Sequence, residues 1–485
     1  MIMTSIKDQF IDADQPHLFQ FWEKLTQEDQ ALFLEQLSKY PNPRLLCNTV
    51  KQAIQLNAES TSGGSSKNAS PLPESSCVSI LEETASDLKK WEDQGFELFH
   101  KGQAAIVLMA GGQGTRLGSE NPKGCYDIGL PSNKPVFQIQ AERILKLQQL
   151  TDEKYSTTGT VIPWYIMTSG ATRATTEKFF NSHNYFGLQR ENVVFFDQGF
   201  LPCFSMDGSK ILMKDQHNIC EAPDGNGGLY KSMYDSGVLQ DFQQRGIKHI
   251  HMYCVDNVLV KVGDPVFLGW ASSQKYDIAT KVVRKRSAHE SVGLIVLDRD
   301  LNAPSVIEYS EISKELSEKV DEDTGKLHLR AANIVNHYYN VDVLNRMIPE
   351  WISSQDFLPF HIAKKRIASL DFKTGELVKP VEPNGVKLEQ FIFDVFPSIT
   401  LEKFGCMEVC RDSEFSPLKN APGAANDTPQ TCLSSILNRS TKWVLENGGL
   451  LESPDAQVEV SPLTSYNGEG LEFVRGKVFK NGECI

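Results

Sequence analysis

Short apolar runs alternate with amphipathic segments through the middle of the chain. The runs have the length and composition of buried strands, and the segments between them place apolar residues at helical spacing. The predicted strands are residues 104–110, 162–168, 193–196, 250–255, 278–283 and 292–297, and the clearest helices are residues 137–150, 173–181 and 230–245. This alternation predicts an α/β fold with a doubly wound, mostly parallel sheet and a Rossmann-like core. In such sheets, ligands bind beyond the carboxyl ends of the strands.

The N-terminal part of the chain has a different pattern. Apolar residues recur at helical spacing in residues 17–40 and 81–99, which predicts an N-terminal helical domain at residues 1–100. Between these stretches lies the tract 57–76, which is rich in Ser and Gly and contains two prolines. Such a composition predicts a flexible loop.

After Pro383 the alternation weakens. Residues 385–396 and 431–447 suit helices, and residues 458–480 read as short strands and turns. We therefore predict an N-terminal helical domain, a central Rossmann-like domain and a small C-terminal domain, at residues 1–100, 101–383 and 384–485.

Composition narrows the class of protein. No apolar run approaches the roughly 20 residues of a membrane helix, and the N-terminus lacks the pattern of a signal peptide. We therefore expect a cytoplasmic protein with no membrane partner. The ten cysteines include no C-x-x-C pair, which favours reduced thiols over a zinc site or disulfides. The net charge of −13 argues against a nucleic-acid partner, although screening over about 8 Å leaves a local group of cations able to bind an anion.

The segment after the first predicted strand carries the most specific chemistry. It reads MAGGQGTRLG from Met109 to Gly118, and PKG follows at residues 122–124. Glycines let backbone N–H groups approach phosphate oxygens, while Arg116 and Lys123 supply positive charge. The dinucleotide-binding pattern does not fit, because a leucine takes the position of its third glycine. The P-loop pattern does not fit either, because a glycine follows the lysine where that pattern has serine or threonine. The loop resembles the signature of sugar-nucleotide pyrophosphorylases, and it predicts a nucleoside triphosphate site.

Further polar segments follow other predicted strands. Asn226, in the loop APDGNGGLY, offers donors and an acceptor that suit sugar hydroxyls, although a surface turn explains the loop equally well. Asp256 comes at the carboxyl end of a predicted strand, where a carboxylate either holds Mg²⁺ or caps a turn. The pair Glu308–Tyr309 is a candidate sugar clamp or an ordinary exposed pair.

Two asparagines and two lysines in the C-terminal half each have two possible roles. Asn333 and Asn336 either contact sugar or serve a turn. Lys387 and Lys419 both follow turn signals, where lysines are usually solvated, and only a phosphate-rich substrate makes them candidates for binding.

Taken together, the motifs resemble the family of eukaryotic UDP-N-acetylglucosamine pyrophosphorylases over residues 17–472. They are, in order, GGQGTRLG with PKG, APDGNGGLY, CVDN, EYSEI, PNGVK, EFSPLKN and SPLTSYNGEGLE. By this resemblance the UTP contacts are Met109, Ala110, Gly111, Gly112, Lys123, Gln198, Gly225, Asp256 and Lys387. The sugar-phosphate contacts are Asn226, Glu308, Tyr309, Asn333 and Lys419. The chain departs from the family at residues 330–334, RAANI, where many relatives read N-x-G-N-I, so the sugar contacts are less fixed than the nucleotide contacts.

The resemblance implies a uridylyltransferase that makes UDP-N-acetylglucosamine and pyrophosphate from UTP and N-acetylglucosamine 1-phosphate. The predicted catalytic groups are Arg116, Lys123, Lys419 and a Mg²⁺ ion held by Asp256, which together offset the repulsion between two polyanions. A pyrophosphorylase for glucose or N-acetylgalactosamine 1-phosphate is an alternative, as is a regulatory protein that binds nucleotide sugars without turnover. The oligomeric state and the metal ligands beyond Asp256 stay open.

Overall fold

The computed structural model describes residues 5–59, 68–309, 311–353 and 358–485. By residue contacts the chain divides into two compact units. The smaller consists of Met1–Ser66, Gln198–Lys231 and Glu350–Val395, and the larger of Lys67–Asp197, Ser232–Pro349 and Phe396–Ile485. This division differs from the predicted boundaries after residues 100 and 383. The physical reason is that strands far apart in sequence pair within each unit.

A large sheet forms the centre of the larger unit. Its main path consists of β1 (Cys77–Ser79), β2 (Ala104–Met109), β3 (Trp164–Thr168), β4 (Val193–Asp197), β5 (His249–Cys254), β6 (Ile278–Arg284), β7 (Ala331–Asn340) and β8 (Phe404–Glu408). The spatial order is β1-β8-β6-β7-β5-β2-β3-β4. Only β7 on this path runs antiparallel to its neighbours, so the carboxyl ends of the other strands share one edge.

The predicted α/β class and mostly parallel sheet are confirmed. Five of the predicted strands match β2 to β6 within two residues at each end. The run at 292–297 is the strand Leu294–Asp298, which pairs antiparallel with Ala303–Ile307, Ala69–Ser70 and β7 instead of joining the parallel path. The sequence pattern missed β7 because polar residues interrupt it. One of these, Asn336, is buried and accepts a hydrogen bond from His251 Nε2 at 2.6 Å.

Helices connect the strands. In the larger unit they include Ala85–His100, Val136–Tyr155, Arg173–Ser182, Val238–Arg245, Pro265–Ser273, Lys314–Glu318, Arg411–Glu414 and Pro429–Glu446, with Leu229–Asp235 and Val341–Ser353 at its boundaries. The predicted single helix at 230–245 is wrong, because Gly237 adopts a left-handed φ of 78° and separates two helices. Among the described residues, no helix is both long and apolar enough to cross a bilayer.

The smaller unit packs helices against short strands. The helices are Ile6–Asp12, Gln27–Ser38 and Pro43–Glu59, and the three-stranded sheet orders His361–Lys365, Gly385–Glu389 and Phe204–Ser205. Further antiparallel pairs join Phe200–Pro202 to Glu221–Pro223, Met213–Asp215 to Asn218–Ile219, and Ser369–Leu370 to Leu377–Val378. The core consists of side chains such as Phe10, Phe33, Leu37, Phe204 and Val386.

Two predictions from the sequence are corrected, one for a helix in the smaller unit and one for a loop whose residues belong to both units. The helix expected at 385–396 begins as the strand Gly385–Glu389, because the buried Val386 and Leu388 alternate with more exposed residues at the period of a strand. The flexible loop expected at 57–76 is helical as far as Glu59 and contains the strand Ala69–Ser70 and a 3₁₀ turn, Glu74–Ser76. Its residues 60–67 lie outside the described residues.

Candidate active site

The glycine-rich loop follows β2 and reaches the shared edge of the sheet. It contains a 3₁₀ turn, Thr115–Leu117, which places Arg116 on the exposed surface. The Gly111 carbonyl accepts a hydrogen bond from Ser169 Oγ at 2.9 Å, which ties the start of the loop to the end of β3. Apart from Gly112 itself and its two neighbours in the chain, no described atom lies within 4 Å of where a Cβ on Gly112 would stand. Glycine there is therefore not required by internal packing, but it does leave the backbone open to a ligand.

Asp256 lies in a buried, irregular segment that follows β5. Backbone carbonyls in such a segment need hydrogen-bond donors. Side chains from two helices and the C-terminal region supply them: Arg143 Nη1 donates to Val260 O at 2.7 Å, Arg439 Nη1 to Leu259 O at 3.0 Å, and Tyr466 Oη to Val262 O at 3.1 Å. These bonds hold the segment rigidly at the edge of the sheet.

The two arginines carry charge into this interior. Burial lowers the pKa of Arg143 to about 10 and that of Arg439 well below its usual value. Both guanidinium groups donate to neutral backbone carbonyls of the Asp256 segment, which do not cancel their charge. The two arginines therefore add positive potential to this segment.

Three of the predicted catalytic residues come together around Leu418. Its N–H donates to the Asp256 carbonyl at 2.8 Å, its carbonyl accepts from Lys123 Nζ at 3.3 Å, and Lys419 is the next residue. The charges of Asp256, Lys123 and Lys419 all affect the pKa of the Cys254 thiol. Burial raises its pKa, the Asp256 carboxylate raises it further, and Lys123 and Lys419 oppose the change. The contacts of Leu418 therefore bring Lys123, which follows β2, to the segment that carries Asp256 and Lys419, and the charges of all three affect the same buried thiol.

Apart from Lys419, the candidate sugar residues of the larger unit lie near Gly293. The Gly293 carbonyl accepts from the Asn333 N–H at 2.8 Å, and the Glu308 carboxylate lies beside the Gly293 Cα. Asn333 is buried on β7, where its side-chain oxygen accepts from the Val335 N–H at 3.0 Å. Tyr309 is 55% exposed and lines a cleft with Lys285.

The remaining candidates lie in the smaller unit. Asn226 begins a 3₁₀ turn, Asn226–Gly228, that leads into the helix Leu229–Asp235. The turn is held by a bond from the Gly227 N–H to the Gln390 carbonyl at 2.8 Å. Asn226 Oδ1 accepts from the Ile392 N–H at 3.0 Å, so this oxygen already has a partner. Gly225 has a φ of 87°, and a Cβ there would stand 2.4 Å from the Gln390 oxygen.

Gln198 and Lys387 also belong to this unit. Lys387 lies on the Gly385–Glu389 strand and not in a loop. Burial raises the pKa of the nearby Cys203 thiol to about 11, and the Lys387 charge opposes this increase. Gln198 is buried and its Nε2 donates to Asp224 Oδ1 at 3.4 Å.

Asp224 is a buried carboxylate that the sequence analysis did not select. Its oxygens lie against the backbone of Gly199 and Gly228. Burial raises its pKa to about 6, and the hydrogen bond from Gln198 opposes this only in part. A perturbed acid beside predicted UTP contacts is typical of a functional site. The only signal in the sequence was its place in the PDGNGG motif.

We expect Asp224→Asn to stabilise the protein at neutral pH. Because folding raises the pKa of this carboxyl from 3.8 to about 6, the folded state binds the proton more tightly, and wild-type stability falls as pH rises through this interval. The charged form costs at most roughly 3 kcal/mol above pH 6. Thermal denaturation should therefore favour the variant at about pH 8 and show little difference at about pH 4. An equal effect at both pH values would contradict this explanation.

Comparison with known proteins identifies the family. The sequence profile of the family described as UTP–glucose-1-phosphate uridylyltransferase matches residues 51–474. The chain belongs to this family. It is 51% identical to the UDP-N-acetylglucosamine pyrophosphorylase of Saccharomyces cerevisiae over 486 aligned residues, which cover 100% of this chain and 99% of the yeast protein.

Solved structures agree with this membership. The crystal structure of the uridine diphosphate N-acetylglucosamine pyrophosphorylase of Trypanosoma brucei, determined with an inhibitor, matches with a TM-score of 0.82 and 27% identity over 98% of this chain and 95% of that chain. The putative UDP-N-acetylglucosamine pyrophosphorylase of Entamoeba histolytica matches with a TM-score of 0.77 and 32% identity, covering 86% of this chain and 100% of that chain. The chain thus shares its fold with both of these proteins.

Proposed function

We propose that this uridylyltransferase joins UTP to N-acetylglucosamine 1-phosphate in the cytoplasm and releases pyrophosphate. Its relatives from yeast, Trypanosoma and Entamoeba carry the name UDP-N-acetylglucosamine pyrophosphorylase. The observation that carries the proposal is the grouping of Lys123, Asp256 and Lys419 around Leu418, at the edge of the sheet where the glycine-rich loop begins. This is the arrangement that two polyanionic substrates require.

The chemistry needs charge neutralisation more than acid–base catalysis. A phosphate oxygen of the sugar phosphate attacks the α-phosphorus of UTP, and the bond to pyrophosphate breaks. The nucleophile is already an anion, so no general base is needed. Two unit charges 4 Å apart interact by about 4 kcal/mol at an effective dielectric constant of 20. Arg116, Lys123 and Lys419 offset this repulsion and stabilise the departing pyrophosphate.

We assign the substrate contacts by resemblance to the family. The nucleotide would contact Met109, Ala110, Gly111, Gly112, Lys123, Gln198, Gly225, Asp256 and Lys387. The sugar phosphate would contact Asn226, Glu308, Tyr309, Asn333 and Lys419. The backbone opening at Gly112 and the cleft beside Tyr309 support these assignments.

A Mg²⁺ ion fits the donors near Asp256. Magnesium binds through one or two carboxylates and takes its other ligands from phosphate oxygens and water. Asp256 provides one carboxylate. Asp427 is a candidate for a second, because its backbone carbonyl accepts from the Lys419 N–H at 2.8 Å. Burial raises the pKa of its carboxyl, the Lys419 charge opposes this, and the Asp256 charge adds to it. The bound ion would supply positive charge to the triphosphate, and Asp256 would hold it in place.

The decisive assay measures pyrophosphate release from UTP with a panel of sugar 1-phosphates, with and without Mg²⁺. We expect N-acetylglucosamine 1-phosphate to give the highest kcat/KM and the reaction to require the metal. A higher value with glucose or N-acetylgalactosamine 1-phosphate would reassign the sugar. Nucleotide-sugar binding without any turnover would instead support a regulatory protein.

Asp256→Asn tests the assignment of the metal ligand. Asparagine keeps the shape of the side chain but removes the negative charge that attracts the cation. We expect the Mg²⁺ concentration for half-maximal activity to rise by at least about 10-fold, with a smaller change in the KM for UTP. The backbone bond from Leu418 to residue 256 is unaffected by this substitution. An unchanged magnesium titration would reject Asp256 as a ligand.

A further inference from the structure

Asn257, the residue after the proposed metal ligand, links two segments of the larger unit that are far apart in sequence. Its Nδ2 donates to the Glu414 carbonyl at 2.7 Å, across 157 residues of chain. Its Oδ1 accepts from the Ser416 N–H at 3.0 Å and from the Leu259 N–H at 3.2 Å. The side chain is buried, so its amide donor and carbonyl acceptor both serve the backbone and neither faces solvent.

Backbone bonds continue the same contact toward the candidate active site. The Val258 N–H donates to the Ser416 carbonyl at 3.1 Å, and the Leu418 N–H donates to the Asp256 carbonyl at 2.8 Å. Lys123 Nζ then binds the Leu418 carbonyl. The segment that carries Lys419 is therefore aligned, bond by bond, with the segment that carries Asp256.

A buried ion cluster supports the Glu414 end of this contact. Lys281 Nζ lies 2.5 Å from both Glu414 Oε2 and Asp264 Oδ2, and Lys261 Nζ lies 3.4 Å from Glu414 Oε1. The Lys281 side chain is completely buried on β6. The carbonyl that receives the Asn257 amide therefore belongs to a residue whose side chain is itself fixed.

We propose that Asn257 is a positioning residue for the transfer reaction: its carboxamide sets the separation of Lys419 from Asp256. Four hydrogen bonds, two of them made by the Asn257 side chain, determine how residues 414–418 sit on residues 256–259. A misplacement of about 1 Å costs on the order of 10²-fold in rate when charged groups must meet a transition state. This inference rests on the proposed function, since it presumes that Asp256 and Lys419 serve one reaction.

Asn257→Asp is the appropriate variant. Aspartate has the same shape and still accepts from Ser416 and Leu259, but it places an oxygen against the Glu414 carbonyl and cannot donate. We expect kcat for UDP-N-acetylglucosamine formation at saturating Mg²⁺ to fall on the order of 10²-fold, with a smaller change in the KM for UTP. Asn257→Gln, which restores a donor on a longer side chain, should recover part of kcat.

Asn447→Asp is the matched control. Asn447 is half-buried at the end of the Pro429–Glu446 helix, and its Nδ2 donates to the Trp443 carbonyl at 2.9 Å. The same chemical change should lower Tm here as well, while kcat stays within about twofold of wild type. If both aspartate variants lost kcat in proportion to their loss of folded protein, Asn257 would have only a structural role.

A double-mutant cycle with Lys419→Met separates positioning from general damage. If Asn257 acts by placing Lys419, removing Lys419 should cost much less in the Asn257→Asp background than in the wild type. Effects on kcat that multiply within about twofold would overturn the proposal.

The activity of the wild type shows separately whether the proposed function holds. If the wild type forms no product with any sugar 1-phosphate, the proposed function has failed, and affinity for UDP-N-acetylglucosamine with Mg²⁺, measured by calorimetry, replaces kcat in the cycle. Equal affinity for this nucleotide sugar in wild type and Asn257→Asp would then overturn the positioning role.

Discussion

Arg116→Ala is expected to lower kcat by about 10³-fold, by analogy with arginines that stabilise phosphoryl-transfer transition states. Arg116 lies on the exposed 3₁₀ turn of the glycine-rich loop, at the same edge of the sheet as Lys123 and Asp256. Its guanidinium presents planar donors that match phosphate oxygens in pairs. Because it is exposed, its loss should change the free energy of unfolding by no more than about 0.5 kcal/mol. Steady-state kinetics and thermal denaturation measure the two effects.

Two further variants test whether the loss of kcat is specific to the Arg116 guanidinium. Arg116→Lys keeps the charge but loses the paired donors, and it should retain more kcat than alanine and less than the wild type. Arg346→Ala removes an exposed arginine from a helix outside the candidate site, where the guanidinium lies 3.8 Å from Asp277, and should leave kcat unchanged. A loss below about 10-fold in Arg116→Ala would remove Arg116 from the catalytic groups.

Local sequence signals were sufficient to find the edge of the sheet that carries the candidate site. An apolar run followed by a glycine-rich loop predicts both a strand and the point where it ends, and β2 with its loop matches this prediction. The same rule placed Asp256 directly after β5. Both predictions depend only on neighbouring residues and on the geometry of parallel sheets.

Residues whose role depends on distant partners could not be found in this way. Lys281 stands in an apolar run, and alternation alone gives no reason for its complete burial. Its carboxylate partners come from two other elements. Asp264 caps the Pro265–Ser273 helix, and Glu414 follows β8, the strand that pairs with β6. The importance of Asn257 likewise appears only when the strand order brings residues 414–418 beside it.

The site illustrates how a strongly acidic protein can handle anions. The net charge of −13 belongs to the chain as a whole, whereas the Asp256 segment has two buried arginines beneath it and two lysines beside it. Buried charges are screened by salt much less than exposed ones. The local potential at this edge is therefore set by a few fixed cations and depends little on the distant surface acids.

Lys281→Met is expected to destabilise the larger unit by about 3–5 kcal/mol. Burial lowers the pKa of Lys281, but its two carboxylate partners more than offset this, so the ammonium stays charged. Methionine fills a similar volume without charge and leaves Asp264 and Glu414 buried without their shared cation. Unpaired buried charge costs far more than the pair contributes. Urea denaturation followed by tryptophan fluorescence measures the change in unfolding free energy.

Two comparisons show whether unpaired charge causes the loss of stability in Lys281→Met. One is with Lys442→Met, and the other is with a variant in which Asp264 and Glu414 are also neutralised. Lys442 pairs with Glu446 at 3.7 Å on a helix surface, with the two side chains 68% and 57% exposed, so its loss should cost about 0–1 kcal/mol. Adding Asp264→Asn and Glu414→Gln to Lys281→Met removes the two carboxylate charges that Lys281 balanced, while asparagine still caps the Pro265–Ser273 helix. This triple variant should recover much of the lost stability. A triple variant no more stable than Lys281→Met would show that packing, and not uncompensated charge, makes Lys281 indispensable.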